Sequence, residues 1–178
     1  MYFYASMETK GYLQVYTGNG KGKTTAAFGL AVRALCAGKS VFIGQFVKSM
    51  KYNETAIESL FDKLVIRQFG KGCFIEKEPT LEDVQAAHEG LGVCLQHLVE
   101  GEFDVIILDE LTIALYYSML FVEEVLNVLR QRSSGTEVEI TGRYAPQELI
   151  DFADLVTEMR EVKHYYTLGV LSRNGIDR

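Results

Sequence analysis

A glycine-rich string near the start of the chain constrains its fold more than any other feature. The string reads Thr-Gly-Asn-Gly-Lys-Gly-Lys-Thr-Thr and occupies residues 17–25. An apolar run over Gly11–Tyr16 precedes it, and a helix-forming run over Ala26–Cys36 follows it. A turn of this composition between a strand and a helix is typical of a phosphate-binding loop, in which backbone N–H groups converge on an anion at a helix N-terminus. The string therefore predicts a strand, a phosphate-binding turn and a helix in immediate succession.

Two side chains of this loop have an assignable chemistry. Lys23 is placed to reach the outer phosphates of a nucleotide, and the hydroxyl of Thr24 is placed to ligate Mg²⁺. The loop departs from the usual pattern at Thr17, which stands where that pattern has its first glycine. The dinucleotide-binding pattern of spaced glycines does not fit, because Lys23 occupies the position of its third glycine. A plain glycine-rich turn is disfavoured, because two lysines and two threonines accompany the glycines.

The length and composition fit one domain over residues 1–178. No stretch long enough to span a membrane is free of charged residues, and the first residues lack a basic region followed by an apolar core. We therefore expect neither a membrane segment nor a signal peptide. The three cysteines, Cys36, Cys73 and Cys94, are widely spaced. They predict reduced thiols in a cytoplasmic protein, without zinc or disulfides.

Charge is distributed unevenly along the chain. The net charge is −6 at pH 7, from 18 basic and 24 acidic residues, which argues against general nucleic-acid binding. Between Thr9 and Asn53, however, there are seven basic residues and no acidic ones. A positive segment centred on the glycine-rich loop suits a small polyanion such as triphosphate. For the outlying lysines, an uneven surface charge without consequence is the alternative.

Short apolar runs alternate with longer helical patterns, which predicts an α/β fold with a mostly parallel sheet and helices on both faces. The expected strands are Tyr12–Thr17, Val41–Phe46, Leu64–Gln68, Val105–Leu108, Glu137–Thr141 and Leu155–Glu158. The expected helices are Lys23–Cys36, Glu54–Phe61, Leu81–Val99, Val122–Arg132 and Pro146–Phe152. The segment Phe69–Pro79 has no clear periodicity and is long enough to be a functional loop.

An apolar run ends in two adjacent carboxylates, Asp109 and Glu110. In a protein with a phosphate-binding loop, such a strand is the expected second half of the site. Carboxylate oxygen is a hard ligand suited to Mg²⁺, bound directly or through water. The spacing leaves open which of the two carboxylates acts on the metal.

Three further features carry weaker signals. Arg143 follows another apolar run at the sheet edge where open α/β folds bind ligands, so it could grip phosphate, but a solvated arginine on a surface turn is equally compatible. His88 and His97 lie on one predicted helix without sharing a face well, which favours core or surface roles over metal binding. Four apolar or aromatic side chains could line a pocket but are more typical of plain core: Tyr116, Tyr117, Met119 and Phe121.

Seven strings occur in a fixed order along the chain: YTGNGKGKTTAAFG, QFVK, LDELT, ITGR, ADLVTEM, KH and GID. They occupy residues 16–29, 45–48, 108–112, 140–143, 153–159, 163–164 and 175–177. Together they closely resemble the ATP:corrinoid adenosyltransferases of the P-loop type, which act in vitamin B12 synthesis and salvage. The resemblance covers nearly the whole chain and accounts for Thr17, since that family carries threonine at this position. It implies a three-layer, RecA-like P-loop fold.

The resemblance also implies a reaction and a set of site residues. Enzymes of this family transfer the 5′-deoxyadenosyl group of ATP to cobalt(I) of a corrinoid and release triphosphate. Cobalt(I) is itself the nucleophile, so no Ser, Cys or His triad is required. By match to the family, Thr24 and Glu110 hold Mg²⁺, with Asp109 as the other candidate. Lys23 and Arg143 are the expected catalytic residues, because they neutralise charge on the leaving triphosphate. The expected ATP-binding residues are Gly18, Asn19, Gly20, Lys21, Gly22, Lys23, Thr24, Thr25 and Arg143.

Two departures from the family's pattern are visible. Better-known relatives carry a Phe and a Trp in the loop matching Phe69–Pro79, where the pair packs under the corrinoid and helps remove its lower axial ligand. This chain has no Trp, and Phe74 and Ile75 are the expected corrinoid-binding substitutes. The relatives also carry a longer N-terminal segment that covers the nucleotide of a partner subunit. Only about ten residues precede the first expected strand here, so we expect that lid to be shorter or absent.

The expected partners are ATP, Mg²⁺, a reduced corrinoid, a reductant such as a flavoprotein, and a second copy of the chain, since the relatives are homodimers. Neither nucleic acid nor a membrane is expected. Two other functions stay open at this point. One is a P-loop ATPase or kinase of the RecA-like class that has lost corrinoid binding, which the altered loop motivates. The other is a carrier that delivers corrinoid or nucleotide to an acceptor enzyme.

Overall fold

A parallel β-sheet forms the centre of the molecule. The computed structural model describes residues 10–70 and 78–177. The strands in this part of the chain are β1 (Leu13–Thr17), β2 (Val41–Phe46), β3 (Leu64–Phe69), β4 (Val105–Asp109), β5 (Glu137–Thr141) and β6 (Leu155–Glu158). They form one sheet in the order β3-β2-β4-β5-β1-β6, and every neighbouring pair is parallel. The predicted α/β class with a parallel sheet is confirmed.

Helices connect these strands. They are α1 (Lys23–Cys36), α2 (Leu81–Glu100), α3 (Leu111–Tyr116), α4 (Val122–Arg130) and α5 (Gln147–Phe152). Within the described residues, two 3₁₀ helices span Asn53–Leu60 and Tyr165–Leu168. None of the helices among the described residues is long and apolar enough to cross a membrane.

The strands bury side chains on both faces of the sheet, because successive residues of a strand point to opposite sides. On one face, Ile43 and Ile107 pack in a cluster with Phe28 of α1. On the other face, Phe42 and Ile106 belong to a larger cluster with residues of α2, α3, α4 and α5. The result is the three-layer arrangement that a sheet with helices on both faces requires.

Two elements differ from the sequence prediction. The α-helix predicted over Glu54–Phe61 is wrong in type, because this segment forms the 3₁₀ helix Asn53–Leu60. Only Thr55 of that segment is buried, so little packing energy is available to stabilise a full α-helical face. Helix α3 was not predicted, because Leu111–Tyr116 is a short, almost continuously apolar segment that shows no helical period.

The carboxyl ends of the parallel strands meet at one edge of the sheet, which brings the segments that follow them together. Three non-glycine residues within a few positions of strand ends at this edge have left-handed backbones: Val47, Glu110 and Tyr144, with φ of 62°, 61° and 59°. Such conformations cost about 1–3 kcal/mol each and concentrate at functional sites. The strain therefore points to the same edge as the glycine-rich loop.

Candidate functional site

The glycine-rich loop connects β1 to α1, as the sequence predicts. Gly18 and Gly22 have φ of 97° and 117°, which side chains with a Cβ rarely adopt. Helix α1 begins at Lys23 with neither a side-chain cap nor an acidic residue in its first turn. Its N-terminal N–H groups and the positive end of its dipole are therefore uncompensated by the helix itself. This arrangement is suited to binding an anion.

Lys23 occupies the centre of the loop. Its side chain is buried, and Nζ donates hydrogen bonds to the carbonyl oxygens of Gly18 at 2.7 Å and Gly20 at 2.8 Å. Burial lowers the pKa of Lys23. The lysine thus holds the loop closed around its ammonium group and keeps positive charge at the point where phosphate is expected.

The end of β6 packs directly against the outside of the loop. The backbone N–H of Gly20 donates to the carbonyl oxygen of Met159 at 2.6 Å. A Cβ at Gly18 or Gly20 would lie only 2.5 or 2.7 Å from that oxygen. Both positions therefore require glycine for the approach of a neighbouring strand, in addition to any role toward phosphate.

Asp109, at the end of β4, is fully buried and surrounded by hydrogen-bond donors. One carboxylate oxygen accepts from the hydroxyls of Thr24 at 2.9 Å and Thr141 at 2.7 Å. The other accepts from Gln45 Nε2 at 3.0 Å and from Lys48 Nζ at 2.7 Å. Burial opposes ionisation, but the charge of Lys48 and these donors hold the pKa of Asp109 below its usual range. Asp109 therefore organises four neighbours and has both oxygens engaged.

Glu110 differs from Asp109 in the hydrogen bonding of its carboxylate and in the direction of its pKa shift. Its backbone N–H donates to Thr141 Oγ1 at 3.0 Å, and its side chain is half-buried. Among the described residues, none donates a hydrogen bond to its carboxylate. Burial, together with the charge of Asp109, raises the pKa of Glu110. A bound cation would oppose both effects, because it would add positive charge to that of Lys48, Lys23 and Arg143.

The turn after β5 places Arg143 at the same edge. Thr112 Oγ1 donates to the carbonyl oxygen of Arg143 at 2.6 Å, which fixes the turn to α3. A Cβ at Gly142 would lie 2.2 Å from Thr112 Oγ1 and 3.3 Å from a carboxylate oxygen of Glu110, and Gly142 has φ of 137°. The side chain of Arg143 is exposed. Its positive charge contributes to the lowered pKa of Lys23 and opposes the rise in the pKa of Glu110. The structure therefore brings Arg143 to the same edge of the sheet as Lys23 and Glu110.

A groove of about 420 Å³ opens beside the loop. Its walls combine polar groups of the loop with apolar side chains from the turn after β5, from α5 and from β6: Thr17, Gly18, Asn19, Tyr144, Ala145, Ile150, Val156 and Glu158. Tyr144 is half exposed, and its ring stacks on that of Tyr116 with centroids 4.2 Å apart. The groove can therefore accept a ligand with a flat apolar part and polar edges.

The sequence left open whether four side chains line a pocket or belong to the core, and in the structure they differ in burial. Met119 is buried and Tyr117 is half-buried, whereas Tyr116 and Phe121 are exposed. Tyr116 is the member of this set that reaches the candidate site, through its stacking on Tyr144.

The remaining predicted site residues fall into three groups. Asn19 and Thr25 are exposed along the loop. The side chain of Lys21 turns away from the loop and contacts the C-terminal part of the chain. Phe74 and Ile75, the expected corrinoid-binding residues, lie outside the described residues.

The histidines have the roles that the sequence favours. The ring of His97 packs edge-on against Phe103 with centroids 5.0 Å apart, and Nδ1 lies 2.8 Å from a carboxylate oxygen of Glu102. Ligand atoms of His97, Glu100 and Glu102 lie within 4.8 Å of one another, but exposed acidic groups commonly adopt such positions without an ion. His88 is exposed. None of these contacts reaches the carboxyl edge of the sheet.

Sequence reasoning missed three members of the site: Gln45, Lys48 and Thr141. Gln45 and Lys48 belong to the QFVK string at the end of β2, and Thr141 ends β5. The signal was therefore present as polar residues at strand ends. The missing information was the strand order, because only the placement of β4 between β2 and β5 brings all three to Asp109.

Comparison with known proteins identifies the family of the chain. A family model described as ATP:corrinoid adenosyltransferase BtuR/CobO/CobP matches residues 9–177. The chain is 36% identical over 172 residues to a corrinoid adenosyltransferase of Escherichia coli (strain K12), covering 97% of this chain and 88% of that protein. It is 36% identical over 179 residues to corrinoid adenosyltransferase CobA of Salmonella typhimurium, with the same two coverages of 97% and 88%. A corrinoid adenosyltransferase of Pseudomonas aeruginosa is 34% identical over 174 residues, covering 96% of this chain and 85% of that protein. The chain therefore belongs to the ATP:corrinoid adenosyltransferase family.

Proposed function

We propose that this protein transfers the 5′-deoxyadenosyl group of ATP to cobalt(I) of a corrinoid and releases triphosphate. The observation that carries the proposal is that the family match spans residues 9–177 and so includes the loop, Glu110 and Arg143. The fold gathers these same residues at one edge of the sheet.

The triphosphate is the leaving group in this reaction. The electron pair of cobalt(I) forms a bond to the 5′-carbon of the ribose, and the bond from that carbon to the triphosphate oxygen breaks. The breaking bond's electron pair leaves with the triphosphate, so negative charge develops there. Lys23 and Arg143, together with the loop N–H groups of residue 19 and residues 21–25, supply positive charge and donors at that place. The protein's second task is to orient the ribose carbon toward cobalt.

Oxygen donors at the end of the loop fit Mg²⁺, which when bound would neutralise part of the triphosphate charge. The hydroxyl of Thr24 donates a hydrogen bond to Asp109, so its oxygen lone pairs are available to a cation. The carboxylate of Glu110 is half-buried and accepts no hydrogen bond from the described residues. We assign Thr24 and Glu110 as the metal ligands, and Asp109 as the group that orients Thr24.

The groove beside Gly18 and Asn19 is the best candidate for the adenosyl group. It adjoins the loop, its apolar wall includes Ala145 and Val156, and Tyr144 offers an aromatic face to a purine. The carboxylate of Glu158 can accept a hydrogen bond from an exocyclic amine. With the triphosphate held by the loop, the adenosyl end of ATP would lie in this adjoining groove.

The partners follow from the family resemblance. We expect the corrinoid to bind near Phe74 and Ile75, a flavoprotein to supply the electron that forms cobalt(I), and two chains to form a homodimer. A mass measurement by light scattering tests the dimer directly. A reducing cytoplasmic compartment agrees with the free thiols of Cys36 and Cys94.

The test is a single incubation with ATP, Mg²⁺ and chemically reduced corrinoid. The expected products are a light-sensitive cobalt–carbon bond and one triphosphate per corrinoid. Lys23→Ala is expected to abolish turnover, whereas Lys39→Ala, at the opposite edge of the sheet before β2, is the matched control that keeps it. Orthophosphate without an alkylated corrinoid would identify a P-loop ATPase instead, and a tightly retained corrinoid without turnover would identify a carrier.

A further inference from the structure

All the donor capacity of the Lys21 side chain is directed at the C-terminal part of the chain. Nζ donates to Tyr165 Oη at 3.1 Å and to the carbonyl oxygen of Ile176 at 2.8 Å, and it pairs with the carboxylate of Asp177. An ammonium group has three protons, so these three contacts use them all. The side chain has no donor left for a phosphate while they persist.

The C-terminal strap, residues 159–177, joins the loop to a distant part of the molecule. It touches the loop first at Met159, whose carbonyl oxygen accepts from Gly20, and again at Lys21. Between Tyr165 and Ile176, Asn174 Oδ1 accepts from Asn53 Nδ2 at 2.7 Å, at the start of the 3₁₀ helix after β2. The strap therefore connects the β6 edge of the sheet, the loop and the segment that follows β2.

The end of the strap is organised around Asp177, whose side chain is only 13% exposed. Its carboxylate also accepts from the hydroxyl of Tyr165, and from the backbone N–H and Nε of Arg173 at 3.0 and 3.2 Å. The guanidinium of Arg173 lies 4.7 Å from the centre of the Tyr165 ring. The contact with Lys21 holds the pKa of Asp177 well below its usual range, so the pair stays charged near neutral pH. Lys21 thus contacts a group of C-terminal residues that are already hydrogen-bonded to one another.

We propose that Lys21, Tyr165 and Asp177 form a clasp that holds the C-terminal strap against the loop, so that Lys21 is a positioning residue and its side chain does not ligate the triphosphate. The proposal rests on the proposed function for the identity of the ligand, ATP. The backbone N–H of Lys21 remains part of the loop. The clasp acts by restricting a glycine-rich segment that would otherwise lose conformational freedom when it binds phosphate.

The sign of the Asp177→Asn effect distinguishes a clasp from a phosphate ligand. If Lys21 positions the strap, Lys21→Gln and Asp177→Asn break the same contact. Each is expected to raise the Kd for Mg·ATP and for inorganic triphosphate three- to tenfold, and the double variant is expected to be no worse than either. If Lys21 is a phosphate ligand that Asp177 competes for, Lys21→Gln weakens triphosphate binding and Asp177→Asn strengthens it. That pattern, or additive losses in the double variant, would overturn the proposal.

Amide hydrogen exchange gives a second readout that needs no ligand. The N–H groups of Gly169, Val170, Ile176 and Asp177 bond within the strap, and both single variants are expected to speed their exchange at least tenfold. Exchange in β4 should be unchanged, which would show that the fold is intact. Matched controls are Lys51→Gln and Asp62→Asn, which change exposed residues of the same types. If the native protein binds no ATP, the proposed function fails, and unchanged strap exchange in Lys21→Gln would still refute the clasp.

Discussion

Glu139 is the most unusual single residue of the described chain. It lies in β5 between Gln14 of β1 and Ile107 of β4, on the face that α1 covers. It is fully buried, and its two carboxyl oxygens have no hydrogen-bond partner among the described residues. Burial, with smaller contributions from Asp109 and Glu137, raises its pKa to about 8. At neutral pH this side chain is therefore a protonated acid in the core.

This raised pKa makes stability depend on pH in a defined window. The unfolded chain loses the Glu139 proton near pH 4.5, whereas the folded chain keeps it until about pH 8. Within that window the unfolded state binds fewer protons, so the free energy of unfolding falls as pH rises, by about 5 kcal/mol across the whole window. Glu139→Gln is expected to remove this slope.

Urea unfolding at pH 5, 6.5 and 8 measures the slope. The exposed Glu161→Gln is the matched control and should retain the wild-type slope. Equal slopes in wild type and Glu139→Gln would mean that Glu139 ionises normally in the folded protein.

Substitutions of the two adjacent carboxylates are expected to have different effects on stability and on ATP binding. Asp109→Asn leaves the Lys48 ammonium, whose side chain is only 14% exposed, without its counter-charge. Breaking a buried ion pair in this way should lower the free energy of unfolding by about 3 kcal/mol. Glu110→Gln removes a carboxylate that accepts no hydrogen bond from the described residues, so it should leave stability nearly unchanged and weaken Mg²⁺-dependent ATP binding at least tenfold.

Denaturant unfolding and calorimetric ATP titrations with and without Mg²⁺ separate these effects. If Glu110→Gln binds Mg·ATP as tightly as the native protein, Glu110 is not a metal ligand. The side-by-side result also answers the question that the spacing of Asp109 and Glu110 left open.

At the scale of elements, a residue just after helix α3 has an unfavourable backbone conformation. Ser118 follows the helix with φ of 55°, and its N–H donates to Leu115 O at 3.0 Å. This is a position where glycine is strongly preferred, because a Cβ strains the left-handed backbone. Ser118→Gly is expected to raise the free energy of unfolding by about 0.5–1 kcal/mol.

Thermal unfolding of Ser118→Gly measures this gain in stability, and Ser59→Gly is the comparison variant. Ser59 lies within the 3₁₀ helix, where glycine offers no conformational advantage and should destabilise. A loss of stability in both variants would show that the Ser118 backbone carries no strain.

Sequence reasoning was most successful for elements with a clear period. It predicted α1 with its observed ends, Lys23–Cys36, and it placed all the observed strands to within one residue at each end. It failed for α3, whose residues are apolar on every side, and for the type of the segment at Asn53–Leu60. It also gave no sign that Glu139 is buried, because alternation in Glu137–Thr141 suggests a polar, solvated face. Only the packing of α1 over the sheet closes that face.

At the scale of the whole molecule, the site depends on strand order, which periodicity does not encode. β5 separates β1 from β4, so Thr141 lies between the loop and Asp109 and bonds to the latter. The loop and the two carboxylates could be predicted separately from the sequence, and the family resemblance joined them. The contacts of Gln45, Lys48 and Thr141 with Asp109 required the three-dimensional arrangement.

Ligand binding should stabilise the whole fold, because the site draws on β1, α1, β4 and β5 together. At a free Mg·ATP concentration about 100 times Kd, the free energy of unfolding is expected to rise by about 2.7 kcal/mol. Lys23→Ala should lose most of this gain at the same concentration, and Lys39→Ala should keep it. Differential scanning calorimetry with and without Mg·ATP makes the comparison. An equal shift in the two variants would place the binding site away from the loop.

The close contact between Met159 and the two glycines has a consequence for protein engineering. A phosphate-binding loop is usually treated as a portable module that can be moved between scaffolds with its strand and helix. Here the carbonyl oxygen of Met159, at the end of β6, accepts a hydrogen bond from the backbone N–H of Gly20. The same oxygen would lie 2.5–2.7 Å from a Cβ at Gly18 or Gly20, so the shape of the loop depends partly on residues outside it. A transplant of residues 13–36 alone would lack that support. The smallest transferable unit includes the end of β6, although it lies more than a hundred residues away in the sequence.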